Sequence, residues 1–255
     1  MGPIFQGLLA RRREGGALFL PLVDQERIEP SDSAERAALL EAAGADAILV
    51  GSSFTLRDRL DPVVAALKKG TTLPILLFPG SALQICRHAD AVFFLSLLSG
   101  RNPLYLIEEQ VRSAPLIRER GLEPIAVGYL LVGGGGRTVH FVSGTEPIPG
   151  DRPEIAMAHA LAAEYMGMHA VYLEAGSGSA SPVPPATIRA VRGYVSVPLI
   201  VGGGLRSAAL AAAAREAGAD IVVVGSALEG PVSEETVRAF ARAIHGERPV
   251  PAAIG

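Results

Sequence analysis

Eight short apolar runs recur along the chain, at 18–23, 47–50, 75–78, 91–95, 125–131, 170–173, 199–201 and 221–224. Each is nearly continuous rather than alternating, the pattern of a parallel strand buried on both faces. Between them, Ala, Leu, Arg and Glu repeat at helical spacing. These segments predict helices at 62–68, 103–120, 153–166, 185–191, 207–215 and 233–245. Another is predicted from a cap at Ser31 or Ser33 through Ala43. Residues 3–13 predict an extra helix before the first strand. The connection after Leu83 is short, so the helix between the third and fourth strands is expected to be reduced. Two helices run into strands through Gly-Ala-Asp, at Gly44-Ala45-Asp46 and Gly218-Ala219-Asp220. Glycine there supplies the left-handed residue that ends a helix.

Eight strands alternating with helices fit a closed barrel or a doubly wound sheet. Three late turns favour the barrel. They are Tyr172-Leu173-Glu174-Ala175-Gly176-Ser177-Gly178, Gly202-Gly203-Gly204 and Gly225-Ser226. Each follows an apolar run and offers small residues whose backbone N–H groups can face an anion. Barrels of this kind place a phosphate site after their last strands. The expectation is an α/β chain forming a single (β/α)8 TIM barrel over residues 1–255. Residues 133–150, with four glycines at 133–136 and two prolines, read as a loop on the C-terminal face. Such a loop builds substrate chemistry or is plain surface.

Composition narrows the partners. Hydrophobic residues make up 49% of the 255 positions, ample for a sizeable core. The net charge of −3 argues against nucleic acid held by bulk charge. The single cysteine, Cys86, excludes an intramolecular disulfide and reads as a buried structural thiol. No run approaches the ~18 apolar residues of a membrane span, so no membrane anchor is expected. Arg11-Arg12-Arg13 follows a short apolar piece, the reverse of a signal peptide's order, which points to the cytoplasm.

Two carboxylates stand where chemistry would be built. Glu174 ends the sixth strand, where it could serve as a general base toward a substrate hydroxyl. The competing reading is a structural ion pair. Asp24 ends the first strand, and Ser52 and Ser53 follow the second. Asp24 with a hydroxyl suits Mg2+, which keeps several waters and takes further oxygens from substrate phosphates. The competing reading is a turn or helix-capping aspartate. The histidines show no metal spacing, and only His140, in the long loop, keeps a functional reading. Phe78, Phe93, Phe94, Leu95, Leu97 and Leu98 could line an apolar groove, although core packing is the simpler reading.

With these motifs in place, the chain resembles the geranylgeranylglyceryl phosphate synthase family, its archaeal-type branch more than its heptaprenylglyceryl one. Residues 172–178, Pro182-Val183-Pro184-Pro185 and the segment 198–204 carry the resemblance, extended by 44–51 and the Asp24 segment. It implies Mg2+-dependent transfer of a prenyl group from a polyprenyl diphosphate to the C3 hydroxyl of sn-glycerol 1-phosphate. By the family pattern Asp24 and Ser53 bind Mg2+. Tyr172, Leu173, Glu174, Ala175, Gly176, Ser177 and Gly178 contact the glycerol phosphate. Gly203, Gly204, Gly225 and Ser226 hold its phosphate, and Glu174 with Tyr172 serves the acceptor hydroxyl. The family commonly forms dimers or hexamers, so a homo-oligomer is expected. The chain departs from the family pattern in three places. It has Asp24-Gln25-Glu26-Arg27 for Asp-Pro-Asp-Lys, Gly51-Ser52-Ser53 for Gly-Gly-Ser, and Ser226 for Asn or Thr.

Other readings stay open at this point. A sugar-phosphate isomerase or epimerase would need an acid/base pair and no prenyl groove. Transfer to a different phosphorylated acceptor, such as phosphoglycerate, would call for an extra basic group. A phosphate-binding barrel without catalysis would not need Asp24 and Glu174 together.

Overall fold

The chain closes into a barrel of eight parallel strands in sequence order, with the eighth strand paired to the first. The computed structural model describes residues 1–133 and 137–246. The last nine positions of the expected single domain, and glycines 134–136 of the long loop, lie outside the described residues. The strands are β1 (Leu18–Val23), β2 (Ile48–Val50), β3 (Ile75–Leu77), β4 (Ala91–Leu97), β5 (Glu123–Leu131), β6 (Ala170–Glu174), β7 (Leu199–Gly202) and β8 (Ile221–Val224). All eight expected strands are present, with ends shifted by at most two residues.

Strand alternation divides the apolar side chains into two layers. Leu20, Leu49, Leu76, Phe93, Tyr172, Ile200 and Val223 fill the barrel interior. Phe19, Ile48, Leu77, Val92, Leu173, Val201 and Val222 pack outward against the helices. Both layers are dry, which is why the runs read as continuous rather than alternating.

Helix α1 (Pro3–Arg13) closes the N-terminal end of the barrel, with Phe5 and Leu8 buried among the interior residues. The Glu123 carboxylate accepts the N–H groups of Ile4 at 2.7 Å and Phe5 at 3.1 Å, placing a negative charge on the helix N-terminus. At the other end of α1, Arg11 pairs with Asp46 at 3.1 Å and Arg12 with Asp220 at 3.0 Å. These two aspartates close the Gly-Ala-Asp turns, whose glycines have φ +101° and +109°. Asp46 accepts the Phe19 N–H at 2.8 Å and Asp220 the Leu199 N–H at 2.9 Å. Each carboxylate thereby ties the start of its own strand to the preceding one.

The remaining helices depart from expectation in instructive places. Helix α2 (Pro30–Ala42) starts at a proline with Glu29 as N-cap, and neither Ser31 nor Ser33 caps it. The Ser33 hydroxyl instead donates to the Glu29 carbonyl at 2.9 Å. Helix α3 spans Leu60–Gly70. Among the described residues no helix joins β3 to β4. After β4 the predicted single helix is divided into a π-helical turn (Leu104–Glu108) and α4 (Glu109–Glu119). The long loop after β5 is not irregular throughout, since α5 (Arg137–Ser143) forms within it. Helices α6 (Pro153–Tyr165), α7 (Pro185–Arg192), α8 (Ala208–Glu216) and α9 (Glu234–His245) follow as expected. Ser207 and Ser233 cap the last two, accepting the N–H groups of Leu210 and Thr236. Among the described residues no helix is long and apolar enough to cross a membrane.

Candidate active site

The C-terminal ends of the strands open on a cavity whose two sides differ in chemistry. On the side of β6, β7 and β8 lie Ser177, Gly178, Gly203, Gly204, Gly225 and Ser226. Among the described residues, the backbone N–H groups of Ser177, Gly178, Gly203 and Gly204 donate to no protein acceptor. Four such donors on adjoining turns are chemically suited to an anion. On the side of β3, β4 and α4 the wall is apolar, with Phe78, Phe93, Phe94, Leu95 and Leu97. These five line a cavity, whereas Leu98 packs in the layer between barrel and helices. The absence of a helix between β3 and β4 leaves room for this apolar side, which reaches Ile117 on α4.

Glu174 sits between the two sides. It is 5% exposed, and its Oε1 accepts the Gly176 N–H at 2.6 Å. Burial pushes its pKa up to about 7, against the lowering effects of the Gly176 N–H and the nearby Tyr172 hydroxyl. Among the described residues no cation pairs with it, which removes the ion-pair reading. Gly203 allows the β7 turn to lie directly on this carboxylate. Its φ is +80°, and a β-carbon there would collide with Glu174 Oε1.

Below Glu174 the rings of Phe78, just past β3, Tyr129 on β5 and Tyr172 on β6 meet. Phe78 and Tyr172 stack at 5.3 Å and 13°, and Tyr129 tilts against Tyr172 at 5.3 Å. The Tyr172 hydroxyl is fully buried and, among the described residues, has no partner in hydrogen-bond geometry. It is nevertheless close enough to Glu174 for each to alter the other's proton affinity. Burial, then the Glu174 charge, holds the Tyr172 phenol well above its usual value, and the same pair of causes acts on Tyr129.

Leu173 and Ala175 are buried in the barrel–helix layer and do not line the cavity. Any contact they make with a ligand is through their backbone. Gly176 likewise serves Glu174 rather than the cavity wall.

Asp24 lies past the end of β1, and its Oδ1 accepts the Glu26 N–H at 2.9 Å. Arg27 Nε stands 3.7 Å from Oδ2, while Arg27 Nη1 pairs with Glu229 at 3.0 Å. Burial raises the Asp24 pKa, opposed by the Glu26 N–H and the Ser52 hydroxyl. Ser53 lines the same cavity as Asp24. Among the described residues no group of three or more His, Cys, Asp or Glu is placed to hold a metal ion. An ion here would take few protein ligands, all hard oxygens, and complete its shell from substrate and water. The cavity lining also carries four carboxylates, Asp24, Glu109, Glu174 and Glu229, against one guanidinium, Arg206. Phosphate groups entering such a lining bring a need for accompanying positive charge.

The remaining polar groups fit structural roles. Cys86 is buried, and burial pushes its thiol up to about 12. His140 faces Glu146 at 3.3 Å on α5 and is not part of the cavity wall. Sequence reasoning missed Tyr129, Arg206 and Glu229. Tyr129 had a usable signal, since it stands opposite Tyr172 in the β5–β6 ladder and shares the inward parity of Leu131. Glu229 lies in a loop and offered none.

Comparison with known proteins places this geometry. Residues 10–244 match the PcrB family. Geranylgeranylglyceryl phosphate synthase of Thermofilum pendens is 44% identical over 244 residues, 95% of each chain. The protein of the same name from Chitinophaga pinensis is 42% identical over 248 residues, 97% of this chain and 98% of that one. A crystal structure of (S)-3-O-geranylgeranylglyceryl phosphate synthase from Thermoplasma acidophilum, in complex with its substrate sn-glycerol-1-phosphate, superposes with a TM-score of 0.91. The two are 36% identical, with 96% of this chain and 99% of that chain covered.

Proposed function

The chain belongs to the PcrB family, and on that premise we propose that it is a prenyltransferase acting on sn-glycerol 1-phosphate. The donor is a polyprenyl diphosphate, geranylgeranyl diphosphate in this reading, and the product is an ether with release of diphosphate. One observation carries the proposal. A buried carboxylate, Glu174, stands between a cradle of unpartnered N–H groups and an apolar wall. That arrangement suits a phosphorylated polar acceptor and a hydrocarbon donor meeting at one point.

The chain's residues divide the work. The N–H groups of Ser177, Gly178, Gly203 and Gly204, with Gly225 and Ser226, hold the acceptor's phosphate. Glu174, with a pKa of about 7, takes the proton of the C3 hydroxyl. The acceptor oxygen then bonds to the first carbon of the prenyl chain as the bond from that carbon to diphosphate breaks. Diphosphate leaves with the electron pair. The reacting carbon becomes cation-like, and Phe78, half-buried in the cavity lining and backed by Tyr172, is the ring placed to offer it π density. Phe93, Leu95 and Leu97 accommodate the hydrocarbon tail. Placing the two reactants side by side supplies much of the rate.

The acidic lining fits a divalent cation, and Asp24 and Ser53 would hold Mg2+. When bound, Mg2+ neutralises charge on the departing diphosphate. The reading also includes a homo-oligomer, supported by the exposed apolar side chains of Ile107 in the π-helical turn and Val111 in α4.

The test is incubation of the purified protein with Mg2+, radiolabelled sn-glycerol 1-phosphate and geranylgeranyl diphosphate, followed by counting of the organic phase. Label that appears there and vanishes on chelation supports the reaction. No label with this donor, or with shorter and longer ones, sinks it.

A further inference from the structure

Arg206 is the one positively charged side chain among the described residues lining the cavity, and it is not paired with a carboxylate. It follows the Gly202-Gly203-Gly204-Leu205 turn of β7. Its Nη2 reaches across to the loop after β6, where it donates to two successive carbonyls, Gly178 at 3.2 Å and Ser179 at 2.9 Å. The two loops are also in contact at Gly204, two residues before Arg206. A β-carbon on Gly204 would lie 2.7 Å from the Ser181 carbonyl. Ser179 is itself tied into its loop, with its hydroxyl donating to the Ser181 carbonyl at 2.8 Å and its N–H to the Gly176 carbonyl at 3.1 Å.

The consequence concerns the cradle. Ser177 and Gly178 belong to the β6 loop, Gly203 and Gly204 to the β7 turn. Four N–H groups bind one anion only if the two halves keep a fixed separation and tilt. A carbonyl turned toward the anion would cancel the effect of a neighbouring N–H. A guanidinium holding the carbonyls of Gly178 and Ser179 fixes those peptide planes and keeps their negative ends away from the anion. It also leaves one positive charge beside a lining otherwise rich in carboxylates.

We infer that Arg206 is a positioning residue for the acceptor's phosphate, clamping the β6 loop to the β7 turn so that their N–H groups converge on one anion. This rests on the phosphate-cradle reading above. It assigns Arg206 to the acceptor side alone, since the donor's hydrocarbon contacts lie across the barrel on β3 and β4.

The experiment is isothermal titration of wild-type, R206K, R206Q and R206A proteins with sn-glycerol 1-phosphate and, separately, with inorganic phosphate, followed by steady-state kinetics. A charge-assisted clamp predicts that R206A and R206Q weaken both ligands about 10–50-fold, while R206K, which keeps the charge, loses about threefold to fivefold. In kinetics the KM for glycerol phosphate rises with the Kd. The KM for geranylgeranyl diphosphate changes by no more than about twofold, which a general loss of structure would not allow. Phosphate affinity in R206A within about twofold of wild type, or an equal rise in both KM values, overturns the inference. Should R206A fail to fold, R206K and R206Q carry the same comparison. A wild-type protein that binds both phosphates but forms no product sinks the proposed reaction and leaves this comparison intact. A wild-type protein that binds neither overturns the clamp.

Discussion

Gly203 lies against Glu174 so closely that a β-carbon on the glycine would collide with the carboxylate Oε1. The same β-carbon would come within 2.7 Å of the Gly176 nitrogen, whose N–H holds that oxygen. One small residue in the turn after β7 thus sets the position of the Glu174 carboxylate at the end of β6. Gly203→Ala therefore moves the carboxylate and strains a backbone at φ +80°. We expect a loss in kcat of about 100-fold and a stability cost of about 1–3 kcal/mol. Steady-state kinetics with denaturant unfolding checks both.

Protonation of Glu174 has two opposite readouts. Activity needs the carboxylate, so kcat should rise with pH and level off above about 7. Stability runs the other way. The folded-state pKa is raised above the ordinary 4.5, so the folded protein binds the extra proton and this group's contribution falls as pH rises from about 4.5 to about 7. Glu174→Gln should raise the melting temperature at pH 8 and leave it nearly unchanged at pH 4.5, while removing turnover at both. A Gln variant that melts lower than wild type at pH 8 would contradict the burial account.

Among the described residues the buried Tyr172 hydroxyl has no partner in hydrogen-bond geometry, and such a group costs stability. Tyr172→Phe keeps the ring stack on Phe78 and deletes only the oxygen. The melting temperature should hold or rise, while kcat drops about tenfold to 100-fold if the hydroxyl steadies Glu174 and the acceptor. Unchanged kcat would leave Tyr172 as a packing residue.

Chelation tests the acidic mouth. EDTA should abolish turnover, and Mg2+ should restore it. Asp24→Asn should raise the Mg2+ concentration for half-maximal rate about tenfold or more, leaving glycerol phosphate affinity, measured by titration without metal, within about twofold.

The N-terminal helix makes a prediction remote from the site. Glu123 accepts the N–H groups of Ile4 and Phe5 at the start of α1. Glu123→Ala should cost about 1–2 kcal/mol in unfolding free energy and leave KM for both substrates unchanged.

The sequence by itself determined the elements and their order. Eight apolar runs could be read because a parallel strand buried on both faces carries no polar alternation to confuse it. The ends of most helices were legible because proline, serine caps and glycine act within a few residues of where they stand. The small-residue turns after β6, β7 and β8 were legible for the same reason, since they depend on small residues at a strand end. Glu174 and Asp24 could be named, but not their environments. The surroundings of Glu174 include the turn after β7, where Gly203 lies against its carboxylate, and no local pattern records that meeting. The same holds for Arg206, whose partners at Gly178 and Ser179 come from the preceding strand's loop. The π-helical turn at Leu104–Glu108 and the helix within the long loop depend on packing that propensity does not see. Local chemistry wrote the strands, turns and caps into the chain. Closure of the barrel brought those turns within a few ångströms of one another, and that proximity sets the charge, dryness and reach of the site.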